Sequence, residues 1–304
     1  RTVEEYRPDI IALSSTSYDF TRATEFILPT KQEFGIPVLL GGPHAMVAPM
    51  RAIANPAIDI VCFGEGEEPL LNLVERINSR KDVTDVRGLF FKNPDNPDDI
   101  IKNPKVRGPE NLDGLPIPDW GMFDSRHIER PWMGKQVRQG YIEISRGCPF
   151  KCSYCIQPFL HEIPSEGEDS NSRKRSAAGN YIFYSNPELL VERVSILREK
   201  YKFNHMQLID ENMPTMPLGE LERLAEVWNE YLNTSDNPIT FFTMSRPEYL
   251  IKRYQSGAAK GKYLDDEGKA LSSGKAELIR SMGCTTVAMG AESGSEWLRS
   301  EILN

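Results

Sequence analysis

Tyr141-Ile142-Glu143-Ile144-Ser145-Arg146-Gly147-Cys148-Pro149-Phe150-Lys151-Cys152-Ser153-Tyr154-Cys155 is the stretch from which the rest of this chain is read. Tyr141 to Ile144 has the pattern of a strand, and Gly147 and Pro149 turn it into a loop. Three cysteines follow at Cys-x3-Cys-x2-Cys spacing, and they are three of only five in the chain. Clustered thiols in a loop at the end of a strand sit beside free backbone N–H groups on one concave surface, which suits a metal cluster. A cubane of four irons wants four ligands, so three thiolates leave one iron open to something other than cysteine.

Two plainer readings stay open at this point. Cys148, Cys152 and Cys155 with His161 satisfy the Cys3His count of a structural zinc site, although such sites usually pair their ligands across two separated knuckles. The thiols could also be unrelated core residues, against which their clustering within eight residues speaks. With Tyr154 directly before the last cysteine, the stretch resembles the signature of the radical S-adenosylmethionine (radical SAM) enzymes.

Forty-four acidic against 36 basic residues give a net charge of −8, which argues against nucleic acid or an anionic membrane surface as the main partner. The tight basic run Arg173-Lys174-Arg175 reads as a solvated loop. No apolar stretch approaches the roughly 20 residues of a membrane span, and Arg1-Thr2-Val3-Glu4-Glu5 does not read as a signal peptide. An odd cysteine count with three clustered fits a reducing compartment, so a cytoplasmic location is expected. Cys62 and Cys284 lie in apolar runs and read as small buried hydrophobes.

Before the cysteine loop, strand and helix patterns alternate. Ile10 to Ser14, Pro37 to Leu40 and Ile58 to Phe63 read as strands. Ala23, Phe26, Ile27, Thr30 and Phe34 follow at helical spacing, and a later helix carries Leu70, Leu73, Val74 and Ile77 on one face. Alternation of this kind means a parallel, doubly wound sheet, which binds ligands at the carboxyl ends of its strands. Those ends carry Ser14-Ser15-Thr16, Gly41-Gly42-Pro43-His44 and Gly64-Glu65-Gly66. Each alone is only a tight turn. Together they make a candidate site, with glycine allowing close approach of a bulky ligand. The GGPH and FGEGE strings resemble the C-terminal part of the cobalamin-binding domain that precedes many radical SAM barrels. No Asp-x-His-x-x-Gly string is present to supply a metal-ligating histidine, and His44 reads as a hydrogen-bonding loop residue.

From about Asp82 the pattern loosens into two short strands around Asn93 to Asp98 and the Pro-rich string Leu112 to Trp120, which resembles the strap joining the two domains in this group. Gly167 to Asn180 is polar and Gly/Ser-rich and reads as a mobile surface insertion. Periodicity returns with Asn186 as a helix cap, Pro187 in its first turn, and Leu190, Val194, Leu197 and Tyr201 inward. Strands His205 to Asp210, Ile239 to Met244 and Cys284 to Gly290 then alternate with helices carrying Leu218, Leu221, Ala225, Trp228 and Leu232, and Ala276 to Met282. Their ends carry Asp210-Glu211, Arg246 and Glu292-Ser293, in phase with the cysteine loop, and the active site of a β/α barrel lies at that rim.

The expected architecture is therefore α/β throughout. Residues 1–81 form the C-terminal part of a Rossmann-like or flavodoxin-like cobalamin-binding domain, 82–135 a linker with a short hairpin, and 136–304 the N-terminal part of a radical SAM (β/α) barrel, with truncation expected at both ends. The resemblance implies that Cys148, Cys152 and Cys155 hold three irons of a 4Fe-4S cluster whose fourth iron is chelated by S-adenosyl-L-methionine. It implies further that Tyr154 lines the adenine, Asp210 or Glu211 takes the ammonium, Arg246 approaches the carboxylate, and Glu292 or Ser293 holds the ribose hydroxyls. Cobalamin would lie against Ser14, Ser15, Thr16, Gly41, Gly42, Gly64, Glu65 and Gly66. The implied activity is reductive cleavage of S-adenosylmethionine, with methyl transfer to an unactivated carbon or phosphorus of a small molecule and a cobalamin-assisted cyclisation or rearrangement as alternative. An electron donor such as flavodoxin or ferredoxin is the implied partner.

Overall fold

The computed structural model describes residues 2–93, 95–96, 99–106, 108–109, 111–162, 182–184, 186–233, 238–252, 267, 269 and 271–302. The basic run and the expected insertion at 167–180 lie outside them. The chain divides into two compact units, one built mainly from residues 1–108 and one from 109–158 and 175–304.

In the first unit α1 (Thr2–Tyr6), β1 (Ile11–Ser14), α2 (Phe20–Phe34), β2 (Val38–Gly41), α3 (Pro43–Val47), α4 (Pro49–Ala54), β3 (Ile60–Cys62), α5 (Glu67–Asn78), β4 (Leu89–Lys92) and β5 (Ile100–Lys102) follow in order. The sheet order is β1-β2-β3-β4-β5. β1, β2 and β3 are parallel, as their crossover helices require, and the β4–β5 hairpin adds antiparallel to β3. Both faces are covered. Val38, Leu40 and Val61 pack with Phe20 and Ile27 of α2 and with Ala52 and Ile53 of α4, while Leu39, Ile60 and Cys62 pack with Leu73 of α5.

Two helix faces differ from the expected ones. α2 buries Phe20, Thr24 and Ile27, leaving Phe26 81% exposed, because the buried stripe steps back from Ile27 by three and by seven residues to Thr24 and Phe20. α5 buries Pro69 and Leu73, while Leu70 and Val74 are exposed. The expected linker region supplies strands to both units, since β4 and β5 extend the first sheet and β6 opens the second.

The second unit contains β6 (Glu129–Trp132), β7 (Lys135–Ile142), β8 (Ser145–Arg146), the first two residues of α6 (Gln157–Glu162), β9 (Ile182–Phe183), α7 (Pro187–Tyr201), β10 (His205–Leu208), α8 (Leu218–Leu232), β11 (Thr240–Met244), α9 (Pro247–Leu250), β12 (Ile251–Lys252), β13 (Leu271–Ser272), α10 (Lys275–Ser281) and β14 (Cys284–Ala288). β7, β10, β11 and β14 lie side by side and parallel, with β6 antiparallel at the β7 edge. This is the expected succession of strand-loop-helix units, with β7 starting six residues earlier because β6 pairs with its first half. Asn186 caps α7 by accepting the Leu189 N–H at 3.2 Å. Leu190, Val194 and Leu197 of α7 and Leu221, Ala225 and Trp228 of α8 bury against Ile142, Met206, Leu208 and Phe241 of the sheet.

Candidate functional site

All four parallel strands of the second unit run in the same direction, so the segments after Ile142, Leu208, Met244 and Ala288 emerge at one edge of the sheet, and the candidate residues meet there. The cysteine loop begins where β7 leaves the sheet, pairs briefly as β8 with β9, and turns at Gly147, whose φ of +92° favours glycine. Cys155 N–H closes a turn onto the Cys152 carbonyl at 3.0 Å.

The acidic pair after β10 fastens this loop. Asp210 is completely buried and accepts from the Ile144 N–H at 3.2 Å and from both the N–H and the hydroxyl of Ser145. Burial pushes its carboxyl up to about 7 against the pull of those donors. Glu211 accepts from the Gly147 N–H at 3.0 Å and from Gln157 Nε2 at 2.5 Å, so it holds the residue before Cys148 and the second residue after Cys155. Of the two carboxylates expected to take an ammonium, Asp210 is sealed inside by its own donors, and only Glu211 lies at the loop surface.

Each cysteine sulfur receives one N–H. Cys148 Sγ accepts from the Phe150 backbone, Cys155 Sγ from the Gln157 backbone at 3.5 Å, and Cys152 Sγ from Arg246 Nη1 at 3.3 Å. Burial raises the Cys148 thiol, and the neighbouring Cys152, Cys155 and Glu211 raise it further, so the three sulfurs lie within electrostatic reach of one another. Arg246, expected at a ligand carboxylate, lies over the Phe150 ring at 3.8 Å and pairs with Glu248 at 2.8 Å.

The segment after β14 completes the edge. The Tyr154 hydroxyl bonds the Glu292 carboxylate, and desolvation, that bond and the nearby Cys152 push the phenol up to about 12. Glu292 is held at φ +55°, and a Cβ on Gly290 would collide with its carboxylate. The Ser293 hydroxyl accepts the Ser295 N–H at 3.1 Å, and Ser153 Oγ donates to the Ile302 carbonyl at 2.6 Å. Ser145, Phe150, Gln157 and Glu248 did not stand out in the sequence. Phe150 and Gln157 were legible only as near neighbours of the cysteines, and Ser145 and Glu248 only as near neighbours of polar strand ends.

Among the described residues, no three His, Cys, Asp or Glu side chains converge as the ligands of a single metal ion would. The side chain of His161, the fourth ligand of the zinc alternative, lies outside the described residues. A cluster fits the donor set, since each thiolate binds a different iron and the sulfurs need proximity rather than a shared point. The N–H donors at all three sulfurs are of the kind that stabilises thiolates.

In the first unit, Ser14 lies opposite Gly41 in the β1–β2 register. Gly42 has φ +83°, and a Cβ there would come within 2.6 Å of Ser14 Oγ and 3.0 Å of the Ser15 nitrogen. The protein's own backbone therefore demands this glycine, whatever ligand approaches. Ser15 is buried and accepts the His44 N–H at 2.9 Å through its carbonyl, and Thr16 Oγ1 donates to Asp19 at 3.0 Å. His44 is buried in α3, stacks on Phe20 at 4.0 Å and hydrogen-bonds Ser17 at 2.9 Å. The third strand end is packed by the chain itself: Lys105 covers Gly64, and the Glu65 carboxylate lies against Gly108. Gly66 faces only Cys62 Sγ.

Residues 1–74 match the family model of the B12 binding domain. An uncharacterized methyltransferase of Pyrococcus horikoshii is 23% identical over 97% of this chain and 54% of its own length. The anaerobic magnesium-protoporphyrin IX monomethyl ester cyclase of Cereibacter sphaeroides is 31% identical over 51% of this chain and 25% of its own. The chain thus spans about half, or less, of the curated relatives it matches. Among solved structures, the cobalamin-dependent S-adenosylmethionine radical enzyme OxsB, with aqua-cobalamin and S-adenosylmethionine bound, superposes with a TM-score of 0.64 at 18% identity, covering 98% of this chain and 37% of that one. The first 74 residues are thus similar in sequence to B12 binding domains, and the chain shares the fold of the matching part of a cobalamin-dependent S-adenosylmethionine radical enzyme. Among the described residues no helix is long and apolar enough to cross a membrane.

Proposed function

We propose that the second unit binds a 4Fe-4S cluster and S-adenosylmethionine, that the first binds cobalamin, and that the protein is a cobalamin-dependent radical SAM methyltransferase acting on an unactivated carbon or phosphorus of a small molecule. The observation that carries this is the set of three cysteine sulfurs, each with its own N–H donor, gathered where four parallel strands end. When bound, the cluster supplies the electron for reductive cleavage of the sulfonium, and cobalamin the methyl group.

Cys148, Cys152 and Cys155 hold three irons. Glu211 keeps the loop closed around them, and its exposed lone pairs suit an ammonium. Tyr154, protonated at neutral pH as any phenol is, donates to the Glu292 carboxylate. They offer an aromatic face and a carboxylate to a nucleoside. Ser14, Thr16 and Gly41 present the edge of the first sheet to cobalamin. A one-electron donor protein and a reducing, cytoplasmic setting complete the reading.

Anaerobic incubation with a strong reductant and S-adenosylmethionine should yield 5′-deoxyadenosine and methionine, and Cys152→Ala should yield neither. Equal yields from both proteins would refute the assignment. The similarity to cyclases over half the chain supports a cyclisation as the second reading. Transfer of a labelled methyl group to product separates the two.

A further inference from the structure

Among the described residues, the donors to the cysteine sulfurs are the Phe150 and Gln157 backbone N–H groups, the Tyr154 hydroxyl on Cys152 and one charged side chain, Arg246, also on Cys152. Its position is over-determined. The guanidinium carbon lies 3.8 Å from the centre of the Phe150 ring, and Phe150 is itself braced edge-on by Tyr249 at 5.8 Å. Nη2 and Nε contact the two oxygens of Glu248, at 2.8 and 3.4 Å. Arg246 has the extended backbone that a residue before proline adopts, with Pro247 starting α9. With its side chain only 27% exposed, the charge is screened less than one on the open surface.

Resting on the reading that the cysteines carry a cluster, we propose that Arg246 sets the cluster's reduction potential through Cys152, with Glu248 offsetting part of its charge. A cluster that takes up one electron from an external donor gains one negative charge and loses none of its ligands. A cation at hydrogen-bond distance from one thiolate favours that more negative state and raises the potential, and a nearby anion lowers it. Arg246 and Glu248 thus act in opposite directions on one site.

The test is a potentiometric titration of the full chain, reconstituted anaerobically with iron and sulfide and followed by electron paramagnetic resonance of the reduced cluster. Leaving out S-adenosylmethionine removes any effect of a lost ligand contact. Arg246→Gln should disfavour reduction about tenfold, which is about 59 mV more negative for one electron. Arg246→Lys, which keeps the charge without the planar guanidinium, should fall between it and the wild type, and Glu248→Gln should move the potential upward. If Arg246→Gln does not assemble a cluster, the other two variants carry the test. An assembled cluster whose potential ignores these changes, or moves the same way in Arg246→Gln and Glu248→Gln, overturns the inference alone. A wild-type chain that takes up no iron overturns the cluster reading and this inference with it.

Discussion

The Gly147 N–H donates to the Glu211 carboxylate at 3.0 Å, tying the end of one central strand to the residue before the first cysteine of the neighbouring loop. Gln157 donates to the same carboxylate. Glu211→Ala removes both tethers, each a bond to a charged group worth about 1.5–3 kcal/mol when shielded and less here, where the site is partly open. We expect a folded protein that retains less than about half the wild-type iron after desalting, by the weakening that lost ligand-orienting contacts typically cause. Glu211→Gln, which keeps one acceptor, should lie between. Iron per chain is the readout.

Asp210→Ala should act on folding instead, because it strands the Ile144 and Ser145 donors inside the protein at a cost of about 1–3 kcal/mol. All four tryptophans, Trp120, Trp132, Trp228 and Trp297, lie in the second unit, so their fluorescence reports on it alone. The urea midpoint of that signal should fall in Asp210→Ala and fall less in Asp210→Asn.

Gly42→Val would damage the first unit directly, through its positive φ and the contact with Ser14 and Ser15, so it cannot test ligand binding by itself. Even Gly42→Ala should cost about 1–3 kcal/mol of backbone strain. Gly66→Ala places its Cβ at an ordinary 3.7 Å from Cys62 Sγ with no positive φ to strain, so it should cost less than Gly42→Ala, up to about 1 kcal/mol for the poorer N-cap of α5. Circular dichroism melts of the two alanine variants compare these costs.

Burial, and then the charge of Arg51, hold the His44 pKa below its ordinary 6.5. The unfolded chain then binds a proton more readily than the folded one. The first unit should lose stability as pH falls below 6.5 towards the lower folded value, and be insensitive to His44 above it. Hydrogen exchange of the Val38–Gly41 amides, corrected for intrinsic rates, should show protection falling in that window. His44→Gln should flatten the dependence.

Strand order was legible where period and punctuation agreed. Asn186-Pro187 starts α7 as expected, and the polar ends after Leu208, Met244 and Ala288 fall on one edge because the parallel direction of the strands forces them there. The exposed side of α2 was not legible, since Phe26 and Phe34 have the spacing of a buried face with Ile27, and only the packed sheet shows that Phe20 and Thr24 join Ile27 there. The protein partners of Asp210 and Arg246 were hidden for a different reason. A strand-end acid or base reads as a ligand contact, while its partners Ser145 and Cys152 lie 65 and 94 residues away, beyond any local pattern. Gly42 was singled out for the approach of a ligand, and the backbone beside Ser15 supplies a further reason for glycine that no local pattern shows.

The most direct measurement is the iron and acid-labile sulfide content of the anaerobically reconstituted wild-type chain. Three thiolates with their N–H donors, carrying a cluster of four irons, predict about four of each per chain and a brown protein. A colourless protein holding one zinc ion and no sulfide would contradict the account.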